Sequence, residues 1–586
     1  MSTDEASSTG RNAIGISFGN SYSSIAFTNP ADGKAEVIAN EEGDRQIPSI
    51  LSYVVGEEFQ GTQAKSAIVR NPRNTIAFFR DFLGKGFDDI DPTHCHATAH
   101  PIKVDGGKKV GFEIQERAAT EQEQAEGKEV EKTTLSVDEV STRHLRRLKE
   151  SAGDYLGKDI NSAVITLPSD FGDNQKAALT AAAKAAGIEV LQYVPEPIAA
   201  LLAHDAKQQQ TTGESQSQDK LVIVADLGGT RSDIALVASR GGMYTTLATA
   251  HDYELGGAAL DKVLIDFAAK EFLKKNKSAS DPRKNERSLA KLTLEAENVK
   301  KALSLGATAS FSIESLTDGV DFSLTVNRSR FELLAVKTFM SFTRLIESVV
   351  QKANRDVLDV DTILLSGGAS HTPKIASNLQ SHFPESAVVI APATSSSAVN
   401  PSELTARGAA IQASLISEFE RSDIESSTEA VVTVTPHTVK AIGLVIGKSA
   451  DQFIVLVNPE TPVPARRTAQ IPVASGGDVL IRLAEGSREI KVTQEEKSKT
   501  NGDGDSDDDS DEDSDDEPGE IREKLWKPGN VVAEAAIKGV KKGGKVEIQV
   551  NVAADLSVTL IAREVGGKGG VRGSIEPGQQ MNGAAA

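Results

Sequence analysis

Short aliphatic segments that end in glycine, separated by helical segments, recur over the first 420 residues of this chain. "SAVITLPS" (Ser162–Ser169) has the composition of a buried strand, and the alanine-rich "NQKAALTAAAKAAG" (Asn174–Gly187) that of a helix closed by glycine. "KLVIVADLGG" and "DTILLSGG" repeat the strand-then-glycine pattern further along. Buried strands alternating with helices predict parallel or mixed sheets with helices on both faces, which is an α/β architecture.

Four glycine-rich turns follow these strands or precede helices. They are "GISFGNSYS" (Gly15–Ser23), "DLGGTRSD" (Asp226–Asp233), "LGG" (Leu255–Gly257) and "SGGASHTPK" (Ser366–Lys374). Glycine lets the backbone turn sharply, and concave arrays of backbone amides bind anions. A single glycine pair is compatible with any tight turn, but turns at the ends of α/β strands are where such sheets bind ligands. Together the turns indicate a nucleotide site.

The pattern of the chain changes after residue 420. Residues 421–433 read as a polar linker, and residues 434–565 contain short β-rich segments bounded by Gly, Pro, Asn and Asp, which predict an all-β sandwich. "VNVAADLSVTLIA" is expected to form a hairpin that turns near Ala553–Asp555. Residues 1–12 and 566–586 read as a disordered N-terminus and a flexible tail, and no helical subdomain is expected after the sandwich.

An acidic block dominates the charge of the chain. Formal net charge is -20, and residues 503–517, "DGDSDDDSDEDSDDE", have no basic side chain. Such a block repels itself, so we expect a solvated, disordered insert over residues 498–520. The same charge disfavours direct DNA binding. A docking strip for basic partners and a phosphorylated segment are the alternative interpretations.

Composition also favours a cytoplasmic location without membrane insertion. The first residues lack a secretory signal, and no apolar segment reaches the length of a membrane helix. Cys95 is the single cysteine, which excludes an internal disulfide and fits a reducing compartment. It lies in "THCHATAH" with His94, His96 and His100, but this spacing matches no closed zinc pattern, so we predict no metal there.

The order of these segments resembles the seventy-kilodalton heat-shock chaperone family. The stretches that carry the resemblance are Val37–Leu51, Asn71–Gly84, Val164–Leu179, Pro195–His204, Arg407–Ala413 and Gly476–Gly486. The resemblance implies an α/β actin-like two-lobed nucleotide-binding domain over residues 13–420, followed by a β-sandwich like the family's peptide-binding domain. It covers nearly the whole chain except the acidic insert and the two ends.

The residues at the positions of the family's reaction centre depart from its pattern. Ser17 replaces an aspartate that orders magnesium-bound water, and Arg80 replaces a lysine that positions the attacking water. Arg231 stands where a threonine is expected, in a turn that lacks one of three glycines. The carboxylates that remain at family positions are Glu196, Asp226 and Asp233. Because phosphoryl transfer depends on positioning and charge, these changes predict ATP binding with little or no hydrolysis, and they leave the presence of magnesium open.

The positions that contact the nucleotide in the family depart less from its pattern than the reaction-centre positions do. The resemblance assigns the nucleotide to Gly19, Asn20, Ser21, Tyr22, Gly228, Gly229, Thr230, Gly256, Gly257, Glu297, Lys300, Lys301, Ser304, Gly367, Gly368, Ala369 and His371. The residues from Glu297 to Ser304 in this set share one helix face, which is also typical of an ordinary charged surface. Lys301, Ala369 and His371 replace an arginine, a serine and an arginine of the family.

Altered catalytic residues, a leucine-free linker ("EAVVTV", Glu429–Val434) and the lack of a lid together resemble the atypical heat-shock subunits of fungal ribosome-associated complexes. That resemblance implies a co-chaperone in stable complex with a zuotin-like J-domain protein. It would sit at the ribosome and assist a ribosome-bound heat-shock chaperone, with ATP as a structural ligand. The alternatives are a conventional ATP-hydrolysing peptide-binding chaperone and a nucleotide-exchange factor of the large heat-shock type.

Overall fold

The computed structural model describes residues 11–117, 132–212, 219–428, 436–446, 452–494, 520–567 and 570–575. The predicted acidic insert and most of the linker and termini lie outside these ranges. The chain divides into two compact units. Unit 1 comprises Met1–Ala238 and Thr246–Glu429, and unit 2 comprises Ser239–Thr245 and Ala430–Ala586.

Unit 1 contains helices and strands in alternation. Its α-helices are α1 (Gly61–Ala67), α2 (Val137–Leu156), α3 (Asp173–Ala185), α4 (Glu196–Thr212), α5 (Gly257–Lys275), α6 (Glu286–Leu305), α7 (Arg328–Leu334), α8 (Val336–Lys352), α9 (Pro373–His382), α10 (Leu404–Ile416) and α11 (Arg421–Thr428). Its strands are β1 (Ala13–Ser17), β2 (Tyr22–Thr28), β3 (Ala35–Ile38), β4 (Ile47–Pro48), β5 (Ile50–Val54), β6 (Glu57–Gln60), β7 (Thr75–Ala77), β8 (Pro101–Val104), β9 (Lys109–Ile114), β10 (Thr133–Ser136), β11 (Ser162–Leu167), β12 (Glu189–Pro195), β13 (Lys220–Leu227), β14 (Ser232–Arg240), β15 (Met243–Asp252), β16 (Thr308–Thr317), β17 (Val320–Asn327), β18 (Thr362–Ser366) and β19 (Val388–Ile390). Within the described ranges, no helix combines the length and apolar character needed to cross a bilayer.

Unit 1 contains two five-strand arrangements with the same strand order. The first runs β3-β2-β1-β11-β12, and the second runs β15-β14-β13-β18-β19. In each, the first three strands in sequence lie on one side and the last two on the other. In the first, β1 pairs in parallel with β11 and antiparallel with β2, across the turn that contains Gly19 and Asn20. In the second, β13 pairs in parallel with β18, and β18 with β19. The α/β architecture predicted from the alternation of segments is confirmed, as are the two lobes that the family resemblance implies.

A close helix crossing fixes the first sheet against its covering helices. α10 contacts β1, β2 and α4, and Gly408 lies at the crossing with α4. A Cβ at Gly408 would stand 1.8 Å from the Ala199 carbonyl oxygen, so only glycine permits this approach. Because α4 begins at Glu196, the crossing sets the position of a predicted site carboxylate.

The first part of the predicted linker is helical. Residues Arg421–Thr428 form α11, in which Ile424 is buried against α10 and β12 residues and Arg421 pairs with Glu425 one turn later. The linker prediction rests on the polarity of this segment as a whole. It gives no weight to Ile424, the one apolar side chain, which attaches the helix to unit 1. Residues 429–435 lie outside the described ranges.

Unit 2 is described by eight strands in two four-stranded sheets. They are β20 (Ala441–Ile446), β21 (Gln452–Val457), β22 (Ala465–Val473), β23 (Gly477–Gln494), β24 (Glu520–Val540), β25 (Gly544–Val552), β26 (Val558–Glu564) and β27 (Gly570–Ile575). The sheet orders are β21-β20-β23-β24 and β22-β25-β26-β27. β25 and β26 form the predicted hairpin, and alternating valine, isoleucine and leucine side chains from both sheets make one core. The predicted β-sandwich is confirmed.

Candidate functional site: a glycine-lined nucleotide pocket

The predicted phosphate turns come together in unit 1. Asn20, in the turn between β1 and β2, donates from Nδ2 to the Thr230 hydroxyl at 3.1 Å, across 210 positions of sequence. The Gly257 amide donates to the Gly228 carbonyl at 2.9 Å. The Ala258 amide donates to Gly229 at 2.8 Å. The first three turns are therefore in contact with one another.

The fourth turn, after β18, joins the first three at Gly367. Gly367 has a φ of 81°, which disfavours other residues, and a Cβ there would lie 2.5 Å from Asp226 Oδ1. The Gly367 amide donates to the Pro401 carbonyl at 2.9 Å, so the loop before α10 holds this turn against the strand that ends at Asp226 and Leu227.

An ion-paired cluster surrounds Tyr22 beside these turns. Glu297 accepts a hydrogen bond from the Tyr22 hydroxyl and pairs with Lys65 at 2.6 Å and Lys301 at 2.7 Å. Both ammonium groups lie 5.0 Å from the centre of the Tyr22 ring. Burial favours the neutral acid, but the lysines outweigh it and hold the pKa of Glu297 well below its usual value. Lys65 was not predicted, because it is 232 positions from Glu297 and belongs to no glycine motif.

Lys300 faces a different group from Glu297 and Lys301. Its Nζ donates to Asp261 Oδ2 at 2.8 Å and to the Gly257 carbonyl at 3.0 Å. The other Asp261 oxygen, Oδ1, is buried and has no hydrogen-bond partner among the residues that the structure describes. Ser304 donates to the carbonyl of Lys300 within α6. The predicted face of α6 is therefore split into a Tyr22 side and an Asp261 side.

The segment after Gly367 is held by the loop that precedes α10. Gly368–His371 forms a 3-10 turn in which Ala369 is buried. The His371 ring nitrogen Nε2 lies 3.1 Å from Asn400 Oδ1 and 3.2 Å from the Ser402 hydroxyl. Burial lowers the pKa of His371, which favours the neutral imidazole. His371 thus supplies a neutral polar group where the family pattern has a cation.

Ser17, at the end of β1, has a hydroxyl as its side-chain partner within the described part of the chain. Its hydroxyl accepts a hydrogen bond from Thr405 of α10 at 3.0 Å, and Thr405 is buried. This hydroxyl pair occupies the place where the resemblance expects a carboxylate. It provides no charge for a metal-bound water shell.

Arg80 is buried among carboxylates. Its Nη1 donates to Glu196 Oε1 at 3.2 Å and to the Phe18 carbonyl at 3.3 Å. Its Nε donates to Asp81 at 2.8 Å. The guanidinium is thereby fully engaged with protein groups, because Nη2 also pairs with Asp81. Arg80 is therefore held in place by its ion pairs, whereas a lysine at this position would be a compact and mobile cation.

Arg231 makes the second buried ion pair of the pocket. Its Nε donates to Asp233 Oδ2 at 2.7 Å, and its Nη2 bonds both Asp233 Oδ1 and, at 2.6 Å, Asp170 Oδ1. The guanidinium carbon lies 4.6 Å from the centre of the Tyr253 ring. Asp81, Asp170 and Tyr253 were missed at the sequence level. The adjacency of Asp81 to Arg80 was an available signal, whereas Asp170 and Tyr253 meet Arg231 only through the fold.

The remaining predicted carboxyl groups are close to one another. Burial raises the pKa of Glu196 to about 8 against the opposing charge of Arg80. Burial and the neighbouring Asp233 raise the pKa of Asp226 to about 7. The pocket therefore holds carboxyl groups that are either paired with arginine or disfavoured in their ionised form.

The pocket fits a nucleotide better than it fits a metal ion. Among the described residues, Asp261 Oδ1 is a buried acceptor without a donor, which suits a ligand hydroxyl or amino group. In contrast, the ranges that the structure describes contain no convergent group of three or more His, Cys, Asp or Glu side chains that could hold a metal ion. We therefore derive no step through magnesium.

Taken together, the two sheets of equal strand order and the glycine turns define an actin-like α/β fold in a chain that also carries a β-sandwich unit. A family model described as "Hsp70 protein" matches residues 13–499. The chain belongs to the Hsp70 family.

Curated relatives agree with this assignment over the whole chain. A heat shock protein 70 homologue of Schizosaccharomyces pombe is 43% identical over 570 residues, covering 96% of each chain. The ribosome-associated complex subunit SSZ1 of Saccharomyces cerevisiae is 43% identical over 568 residues, covering 96% of this chain and 99% of the relative. Heat shock 70 kDa protein 14 of Homo sapiens is 32% identical over 487 residues, covering 83% and 89%.

Proposed function

We propose that this protein is an ATP-binding, largely non-hydrolysing co-chaperone of the cytoplasm. It forms a stable complex with a zuotin-like J-domain protein at the ribosome and stimulates another heat-shock chaperone that acts on nascent chains. The observation that carries this proposal is the reaction pocket, where Arg231 pairs with Asp233, Arg80 pairs with Glu196, and Ser17 replaces a carboxylate.

Similarity to a named complex subunit supports the cellular part of the proposal. The relative of Saccharomyces cerevisiae is named as a subunit of a ribosome-associated complex, and it aligns with this chain along nearly its full length. The partner segment would be held by unit 2, as an extended strand along an edge or groove of the sandwich.

ATP serves a structural role in this proposal. The glycine turns would hold the phosphates, and the cluster of Tyr22, Glu297 and Lys301 would hold the adenosine. A ligand that binds only the folded state stabilises it by mass action, by about 2.7 kcal/mol at a hundredfold excess over Kd. ATP would therefore raise the unfolding temperature of the protein without being consumed.

Single-turnover hydrolysis tests the proposal. Wild-type protein and Ser17→Asp are each mixed with substoichiometric radiolabelled ATP, and we expect neither to hydrolyse it at a rate comparable to an ordinary Hsp70. Restoring the carboxylate at Ser17 alone leaves the guanidinium groups of Arg80 and Arg231 on the other carboxylates. Family-like turnover by wild type would support the conventional chaperone instead, and fast turnover by the variant would refute the idea of a multiply disabled pocket.

Mass spectrometry of proteins that copurify from cells tests the partner assignment. We expect a J-domain protein in stoichiometric amount together with ribosomal proteins. A mixture of client peptides with no J-domain protein would overturn the assignment.

A further inference from the structure

The reaction pocket contains five carboxylates and two arginines. The carboxylates are Asp81, Asp170, Glu196, Asp226 and Asp233. Arg80 pairs with Asp81 at 2.7 Å and with Glu196 at 3.2 Å, and Arg231 pairs with both Asp170 and Asp233. Four of the five are thus ion-paired to a guanidinium, which leaves Asp226 as the member outside these pairs.

The orientation of Arg231 is fixed on three sides. Asp233 accepts hydrogen bonds from both Nε and Nη2 of Arg231, and Asp170 accepts a second hydrogen bond from Nη2. The Tyr253 ring packs against one face of the guanidinium. Tyr253 is itself held by a hydrogen bond from its hydroxyl to Asp170. Such a planar, doubly bonded cation cannot rotate away without breaking several contacts at once.

One nitrogen of Arg231 is left for a ligand. Among the described residues, no hydrogen-bond partner contacts Nη1, and this nitrogen is not among the enclosed unpaired atoms of the protein. Arg231 directly follows Thr230, whose hydroxyl joins the second glycine turn to Asn20 of the first. Two N–H groups of a fixed cation are therefore available beside the predicted phosphate turns.

A divalent cation would need carboxylate oxygens, most of which these arginines already contact. Magnesium takes near-octahedral oxygen ligands, commonly one or two carboxylates plus phosphate and water. Asp226 alone among the five carboxylates could serve as a ligand without losing an arginine, so any second carboxylate ligand would have to give up its guanidinium partner. Ser17 contributes a hydroxyl bonded to Thr405 in place of a charge. Separating a buried carboxylate from its arginine leaves an uncompensated charge, which is strongly unfavourable.

We infer that this pocket binds the triphosphate of its nucleotide without a divalent cation, and that Arg231 supplies the fixed positive charge toward the phosphates. The inference rests on the proposed nucleotide-binding function and specifies the ligand as the metal-free nucleotide. Arg231 is the binding residue, while Arg80 is held by its contacts with Asp81 and Glu196. Guanidinium groups suit this role because their paired N–H donors match phosphate oxygens.

Nucleotide titration with and without magnesium tests the inference. Full-length, nucleotide-stripped protein is titrated with a fluorescent ATP analogue, once in excess EDTA and once in excess magnesium, and Kd is measured by anisotropy. We expect the two Kd values for wild type to differ by less than about threefold, since no metal site contributes. A threefold or larger loss of affinity in EDTA would overturn the inference while leaving the proposed nucleotide binding intact.

Variants at Arg231 separate its charge from its geometry. In EDTA, Arg231→Thr is expected to weaken binding by about tenfold or more, because a charge-assisted contact is lost. Arg231→Lys is expected to lose less affinity for the analogue than Arg231→Thr. Magnesium should partly restore Arg231→Thr, since Asp170 and Asp233 are then free of their cation. Unchanged affinity of Arg231→Thr in EDTA would refute the role of Arg231.

A matched control lies elsewhere in unit 1. Arg283 also forks onto two aspartates, Asp281 and Asp266, at 2.8 Å each, away from the glycine turns. Arg283→Thr should bind the analogue like wild type in both buffers, and a tenfold loss there would mean that the Arg231 result reports general damage. Should Arg231→Thr fail to fold, the wild-type comparison alone decides the inference. Absence of binding by wild type in both buffers would instead refute the proposed function.

Discussion

At the scale of single residues, His144 makes the fold sensitive to acid. His144 lies fully buried in α2, with Nε2 3.0 Å from the Ser23 hydroxyl and the Phe79 ring edge-on to it. Burial lowers its pKa to about 4, so the folded protein keeps it neutral while an unfolded chain protonates it near pH 6.5. Its contribution is complete above about pH 6.5 and is lost as pH falls toward 4.

Replacing His144 tests this contribution. Between about pH 7.5 and 5.5, the wild type should lose about 1 kcal/mol more unfolding free energy than His144→Gln, measured by urea unfolding of each protein at both pH values. His100→Gln changes an exposed histidine and should keep the pH dependence of the wild type. Equal pH dependence of wild type and His144→Gln would contradict the burial argument.

Substitutions within motifs could be predicted from the sequence, but their ion pairs could not. Ser17, Arg80 and Arg231 stand out by comparison with the family pattern, and in the structure the two arginines pair with the carboxylates Glu196 and Asp233. The ion-pair partners of these arginines are set by the fold and not by a sequence motif. Asp170 is 61 positions from Arg231, and only the packing of the sheets brings them within 2.6 Å.

At the scale of elements, the crossing of α4 and α10 depends on Gly408. Gly408→Ala would place a methyl group on the Ala199 carbonyl, so the helices must separate, and overpacking of this kind costs about 1–3 kcal/mol or more. Thermal unfolding should show a lower midpoint. Gly306→Ala is the control, because its nearest neighbours would lie 3.5 and 3.6 Å away, and it should leave the midpoint nearly unchanged. An equal midpoint for both variants would show that the crossing adjusts freely.

Elements with strong patterns were predictable, whereas α11 was not. Buried strands such as β11 and β13 are continuous apolar segments, and the α3 sequence is rich in alanine and ends near glycine. α11 has only eight residues, most of them polar, and is attached through Ile424. A single apolar side chain gives no periodicity, so its burial is decided by tertiary contacts that a sequence pattern does not contain.

At the scale of the whole molecule, the single tryptophan reports whether nucleotide state reaches unit 2. Trp526 lies in β24, 6.4 Å from the Phe453 ring, and no other tryptophan contributes to emission. The segment Glu429–Val434 contains no leucine, and its apolar side chains are alanine and valine only. A ligand shifts a conformational equilibrium only through differential contacts with its two states. We therefore expect saturating ATP and ADP to give the same Trp526 emission spectrum as nucleotide-free protein, while ATP raises the thermal midpoint. Phe453→Ala should change the emission, which verifies that Trp526 senses its surroundings. A spectrum that differs between ATP and ADP would demonstrate coupling and favour a cycling chaperone over a structural nucleotide.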